Sequence, residues 1–265
     1  GFDLGLKLRD YVTGYLASQP NLRGVMLAGH GVICWGDTAQ ACYDNTISLI
    51  ADAARYLNTQ LAGKPAFGGA KMTPLPAGER RAVASRLMPQ LRGLMNDGTP
   101  KLAHFSDDVE TLEFVCSRDC LRLAAIGTSC PDHFLRTKIA PLVLDEQRLD
   151  DHAVLQQAIT AYREGYQAYY QRCASAQDPA MRDPNPVVIL VPGVGRITFA
   201  ADKTTARLAG EFYGNAINVM RGAEALGGYV GLAEQEAFNI EYWALEEAKL
   251  QRMPKPRPLA GKVAV

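Results

Sequence analysis

Two short stretches of the sequence gather side chains suited to chemistry. The first is Gly29-His30-Gly31, where one imidazole stands between two glycines. The glycines let the backbone bend sharply and leave the ring accessible, which suits metal binding or proton transfer. Read alone, the same triplet also describes a turn histidine bonded to backbone. The second stretch is Pro131-Asp132-His133-Phe134-Leu135-Arg136-Thr137-Lys138. Asp132 or His133 would move a proton there, and Arg136 or Lys138 would bind a substrate phosphate. Its bland alternative is a structural loop whose polar groups bond to backbone. Cys130 lies next to it, but Pro131 and the lack of a placed base favour a packed thiol over a nucleophile. Gly193-Val194-Gly195 lacks the third glycine of a dinucleotide fingerprint, since position 198 is Thr and a second strand precedes any helix.

The elements that must position these groups follow from periodicity. Leu4, Leu8, Tyr11 and Tyr15 mark a helix over 4–17. An apolar run from Val25, the Gly-His-Gly turn and a second run to Trp35-Gly36 read as strand, turn, strand. A helix over about 38–60 then carries Cys42, Leu49, Ile50, Ala53 and Leu57 on one face, its N-cap lying within Asp37-Thr38-Ala39-Gln40. The Gly- and Pro-rich 65–76 reads as a linker, 77–96 as a helix, 101–144 as irregular and β-leaning, and 150–175 as a helix. The tyrosine stripe of that last helix (Tyr162, Tyr166, Tyr169, Tyr170) reads as packing surface. After a polar loop over 175–185, the run 187–199 repeats the order strand, turn, strand, with a long helix from about 202 and another over 231–251. Val25 aligns with Val188 and Leu27 with Leu190 at an offset of 163, and Trp35 with Phe199 at 164. The second turn then comes out one residue longer, with Gly193 where the first copy has His30. Duplication and chance likeness both stay open.

Composition narrows the class. The chain has 265 residues, 48% hydrophobic and 21% charged, which is that of a globular protein with ample core. Lys plus Arg equals Asp plus Glu at 28 each, so no overall field points to nucleic acid or an anionic membrane. No apolar run reaches membrane-spanning length, and the first residues lack the pattern of a signal peptide. The six cysteines show no zinc or disulfide spacing, so reduced thiols in the cytoplasm are expected.

The segment Ala28-Gly-His-Gly-Val-Ile-Cys-Trp-Gly-Asp-Thr-Ala-Gln-Ala-Cys-Tyr43 resembles the class II aldolase/adducin family. More narrowly, the chain resembles bifunctional proteins that fuse a rhamnulose-1-phosphate aldolase to a short-chain alcohol dehydrogenase. Residues 128–138, Gly222-Ala-Glu-Ala225 and 241–252 carry that narrower likeness, which spans essentially the whole chain. It implies an α/β fold: the C-terminal part of a class II aldolase domain over 1–64, then a second aldolase-like α/β domain over 65–255, read as a degenerate copy. Residues 256–265 would be a linker and the first strand of a short-chain dehydrogenase. By the resemblance the chain is the middle of a longer protein. An upstream His-x-His pair and a catalytic acidic residue would precede it, and the Gly-rich NAD-binding turn would follow. His30 matches the third imidazole ligand of the family's divalent metal, usually zinc, and without its partners it would hold the ion poorly. The implied reaction cleaves the sugar phosphate rhamnulose 1-phosphate to dihydroxyacetone phosphate and lactaldehyde, with NAD-dependent oxidation of the aldehyde in the dehydrogenase part. A homo-oligomer is expected by analogy. The family's adducin branch supplies the other expectation, a non-catalytic scaffold or oligomerisation module.

Overall fold

The computed structural model describes residues 2–27, 31–128, 130, 133–252 and 258–263. The expectations placed on His30 and Asp132 therefore lie outside the described residues. The chain divides into two compact units, Gly1–Ala62 and Gly63–Val265. Among the described residues no helix is long and apolar enough to cross a membrane.

The first unit runs α1 (Phe2–Leu16), β1 (Gly24–Leu27), β2 (Gly31–Cys34) and α2 (Ala39–Leu61). The strands form an antiparallel hairpin with Gly24 opposite Cys34 and Leu27 opposite Gly31. Thr38 is the N-cap of α2, its Oγ1 accepting the Ala41 N–H at 3.1 Å. Gly36 admits the first turn of that helix, because a Cβ there would stand 2.5 Å from the Cys42 nitrogen. Asn45 ties the helix back by donating from Nδ2 to the Trp35 carbonyl at 2.8 Å.

The second unit is built on a mixed four-stranded sheet. Its elements are α3 (Ala77–Leu94), β3 (Leu102–Ser106), α4 (Val109–Val115), α5 (Cys120–Ile126), α6 (Phe134–Thr137), β4 (Leu142–Val143) and α7 (His152–Cys173). The hairpin β5 (Val188–Val191) and β6 (Gly195–Ala200) follows, then α8 (Lys203–Leu226), α9 (Glu234–Glu241) and α10 (Ala244–Gln251). Strand order is β3-β6-β5-β4, with β4 parallel to β5 and the other pairs antiparallel. Side chains alternate across the hairpin, as the period-two geometry of a strand requires. Val188 and Leu190 pack with Tyr213, Ile217 and Met220 of α8, while Ile189, Val191, Ile197 and Phe199 face α3 and α7. The sheet is thus covered on both faces.

Three expectations need correction. Residues 65–76 are not a linker: a 3-10 turn at Ala66–Gly68 turns Phe67 into the core, where it is 2% exposed. Gly68 and Gly69, at φ 74° and 85°, make that reversal possible, and Ala70 then bridges to Ser117. Residues 101–144 hold three short helices beside two strands, so their regular structure leans to helix rather than β. Asp108 starts α4 by accepting the Thr111 N–H at 2.8 Å, and local capping outweighs the β-branched composition. The helix expected over 231–251 is broken at Tyr242-Trp243, where Glu241 is drawn inward by tyrosine hydroxyls. Of the expected dehydrogenase strand, residues 258–261 form a turn, 262–263 carry no regular structure, and 264–265 lie outside the described residues.

The hairpin registers also revise the internal alignment. Gly24 opposite Cys34 and Val188 opposite Thr198 are equivalent pairs, as are Leu27–Gly31 and Val191–Gly195. A single offset of 164 relates them all (188 − 24, 195 − 31), so the two connections are equally long. The N-caps Thr38 and Asp202 keep the same offset, and Gly31 and Gly195 share an unusual φ, 151° and 144°. His30 then aligns with Val194 rather than Gly193. Along the helix, Leu49 aligns with Tyr213 instead of Phe212, and Ala53 with Ile217 instead of Ala216.

Candidate functional site

Helix α6 is a single turn that aims its two sides at different environments. His133 is its N-cap, held by its N–H donating to the Cys130 carbonyl at 3.0 Å. The imidazole stacks on Phe212 of α8, with ring centroids 4.3 Å apart and planes 25° from parallel. Phe212 aligns with Ser48 of the first unit under the common offset, so this stack belongs to the second unit only. Arg136, one residue before the end of α6, is exposed.

Both side chains line a cleft of about 680 Å³. Its other walls bring Arg182 from the loop before β5, Ile240 of α9, and Trp243, Glu246 and Lys249 of the last turns. The indole of Trp243 is 50% exposed. Lys249 pairs with Glu246 at 2.6 Å and Arg182 with Glu247 at 3.1 Å, so Arg136 contributes most of the cleft's net positive charge. Volume, apolar walls and convergent cations together describe a site for a small organic anion.

Lys138 does not join them. It sits at φ 63°, ψ 174° just past α6, with its side chain turned into the core and 7% of the residue exposed. Its Nζ lies 3.8 Å from Glu241 Oε1 and 3.8 Å above the Tyr166 ring. Burial pushes its pKa down to about 8, against the opposing pull of Glu241. The expected phosphate pair Arg136 and Lys138 is thereby split: Arg136 faces the cleft and Lys138 faces away. The positive φ of Lys138 ends the helix, and its side chain then meets a buried carboxylate, which accounts for the split.

The partner, Glu241, is 1% exposed. It accepts from Tyr166 Oη at 2.6 Å and from Tyr169 Oη at 3.1 Å. Burial, followed by the Glu241 charge, holds both phenols well above the ordinary tyrosine range. The tyrosine stripe is packing surface, and its hydroxyls are all satisfied: Tyr162 donates to the Ala140 carbonyl and Tyr170 to that of Pro179. Arg182 and Glu241 escaped the sequence reading. A stripe of tyrosines at helical spacing needs acceptors, and a lone Glu between Ile240 and Tyr242 was the available signal.

Gly193 and Gly195 belong to the connection of an antiparallel hairpin, so no dinucleotide turn forms there. All six cysteines are free thiols. Class II aldolases generally use a divalent metal. Among the described residues no group of three or more His, Cys, Asp or Glu side chains forms a cage for one.

A family model for the second domain of class II aldolases matches residues 82–250. Among curated proteins, an uncharacterized oxidoreductase of Bacillus subtilis (strain 168), YuxG, is 34% identical over a 266-residue alignment. That alignment covers 98% of this chain and 38% of the relative, so the chain spans well under half of that protein's length. No solved structure matches. With a mixed sheet covered by helices on both faces and a family match across most of its length, the chain belongs to the class II aldolase second-domain family.

Proposed function

We propose that the chain is part of a metal-dependent aldolase/dehydrogenase that cleaves rhamnulose 1-phosphate to dihydroxyacetone phosphate and lactaldehyde. A nicotinamide-dependent dehydrogenase part of the same polypeptide then oxidises the aldehyde. The observation that carries this reading is the aldolase family match over 82–250. The word oxidoreductase in the relative's name and the 38% share of that relative are consistent with a further catalytic part.

In this reading Arg136 binds the substrate phosphate by a charge-assisted, forked contact. Asp132 or His133 accepts the proton of the C4 hydroxyl as the C3–C4 bond breaks. C4 becomes the carbonyl carbon of lactaldehyde, and the electron pair left on C3 is delocalised as an ene-diolate before C3 is reprotonated. The Phe212 stack keeps the His133 ring in one plane while it works. His30 is the residue that would hold a divalent metal, zinc in this proposal, and such an ion supplies Lewis acidity that stabilises ene-diolate charge. The protein is a cytoplasmic homo-oligomer in the same proposal.

The test is an assay of the whole polypeptide with rhamnulose 1-phosphate and zinc, following dihydroxyacetone phosphate and, separately, aldehyde-dependent reduction of NAD. Release of neither product refutes the proposal. A second reading, a non-catalytic adducin-like scaffold, draws support from Val194. That residue is 0% exposed and stands in the second unit where the first has His30. Zinc binding by an upstream-extended chain, with loss on His30→Ala, favours the enzyme; self-association without zinc binding favours the scaffold.

A further inference from the structure

Glu241 reaches both guanidinium groups of the cleft by separate routes. Its carboxylate holds Lys138, which lies two positions beyond Arg136 on the same short segment. Its backbone carbonyl accepts from Arg182 Nη2 at 3.2 Å and from Nε at 3.4 Å. The Arg182 N–H donates to Tyr242 Oη at 3.1 Å, and that hydroxyl shares a 2.7 Å bond with Tyr166 Oη. Glu247 takes a second bond from Arg182 Nη2 at 3.1 Å, and the guanidinium lies 5.2 Å over the Tyr242 ring. One edge of Arg182 is therefore fixed. Among the described residues, neither its Nη1 nor the Arg136 guanidinium has a hydrogen-bond partner.

Such an arrangement is unfavourable on its own account. Two charges leave water, and a lysine adopts backbone angles that glycine tolerates better. An apolar contact would anchor a four-residue helix with neither cost. What a fixed ion pair adds is defined spacing, and the groups whose spacing it defines are the two cations facing the cleft.

We propose that Arg182 is a ligand-binding residue and that Glu241 and Lys138 are positioning residues, together holding Arg136 and Arg182 at the spacing that grips a phosphate monoester. This rests on the reading of Arg136 as a phosphate-binding residue. Arg136 brings an exposed planar fork to the phosphate oxygens, and Arg182, whose charge Glu247 shares, adds the donors of its Nη1. Leu135, Ile240, Phe212 and Trp243 offer apolar surface to the carbon part of the ester. Lys138 faces Glu241 from α9 and the Tyr166 ring from α7, and Tyr169 and Tyr242 bond to Glu241 and Tyr166 in turn. Asp183 and Arg182 of the loop and Lys101 before β3 also bear on its charge. Loss of the Lys138 proton above pH 8 would release the hold on α6.

The experiment titrates glycerol 3-phosphate, with inorganic phosphate in parallel, into the 265-residue chain by calorimetry. The variants are Arg136→Met, Arg182→Met and the double variant Lys138→Met/Glu241→Gln, which removes both buried charges together and so preserves folding better than either change alone. Expected are losses of about tenfold for each arginine variant and about fivefold for the double variant, whose melting midpoint stays within a few degrees. Wild-type affinity falls above pH 8, and the double variant shows no such fall. Unchanged affinity in Arg182→Met or in the folded double variant, beside a loss in Arg136→Met, overturns this inference and leaves the Arg136 reading standing. Should the double variant unfold, Arg182→Met and the wild-type pH profile decide it. Unchanged affinity in Arg136→Met, or no saturable wild-type binding below about 10 mM, overturns both.

Discussion

Truncating Phe67 tests whether the Gly- and Pro-rich 65–76 segment is structural. The ring is 2% exposed, meets Phe114 edge-on at 5.0 Å and lies under the Arg221 guanidinium at 5.1 Å. Its cluster includes Val115, Leu123, Tyr213 and Ile217, all buried. Phe67→Ala should therefore cost the full range for a buried aromatic, about 3–5 kcal/mol. For a unit of this size that lowers the melting midpoint on the order of 10 °C. The backbone adds a second, opposite sign. Phe67 sits at φ 51°, ψ 39°, a left-handed conformation that disfavours any Cβ by about 1–2 kcal/mol. Phe67→Gly loses the same ring but relieves this strain, so it should be no less stable than Phe67→Ala, reversing the usual order of the two. Urea unfolding followed by far-ultraviolet circular dichroism measures both. A loss below about 1 kcal/mol for the alanine variant, or a glycine variant clearly weaker than it, would refute the argument.

Three further outcomes follow from the second unit. Gly195→Ala should destabilise by more than about 2 kcal/mol, because its Cβ would fall 2.6 Å from the Ser106 carbonyl oxygen at φ 144°; Gly165→Ala, with open space around it, serves as the control in the same unfolding assay. Between about pH 8 and 10.5 the unfolded chain keeps the Lys138 proton that the folded chain has lost, so folding should gain stability with rising pH there. Cys120, pushed up to about 12 by burial, acts in the opposite sense above pH 9, so the diagnostic quantity is the wild-type slope minus that of Lys138→Met, which should be positive. Finally, thiol reagents at pH 8 should leave buried Cys116 and Cys120 unmodified until denaturant is added, and rapid labelling of either in the native protein would contradict the packing.

Elements with strong periodicity were legible in the sequence. α2, α3, α7 and α8 lie within a few residues of their expected spans, and the two hairpins appear where paired apolar runs flank a glycine turn. What failed was local and had local causes. Gly68, Gly69 and Pro65 read as punctuation of a linker, yet the same glycines let one aromatic residue turn inward, and composition carries no sign of that. The short helices of 109–126 depend on Asp108 and on packing against α8 rather than on any period of their own. The off-by-one in the internal alignment came from matching valines; strand register rather than identity sets equivalence. In the candidate site, residue type alone singles out His133 and Arg136, and both line one cleft. Lys138 lies two positions on, past the end of α6, and its side chain turns to the buried Glu241 instead of the cleft, which residue type does not reveal. Arg182 and Lys249 come from segments 45 or more positions away, and no spacing rule links such residues.

The pairing of β3 with β6 has a kinetic side. β5, β6 and α8 are consecutive and close on one another through short connections, whereas β3 joins β6 across 90 to 98 positions of chain (196 − 106 and 200 − 102). Loop closure over that distance is opposed by chain entropy before any ladder bond rewards it. The hairpin and its helix should therefore assemble early and the outer strand should dock late. Replacements within 188–226 would then slow refolding, while replacements in β3 would chiefly hasten unfolding, a division that chevron analysis reads directly.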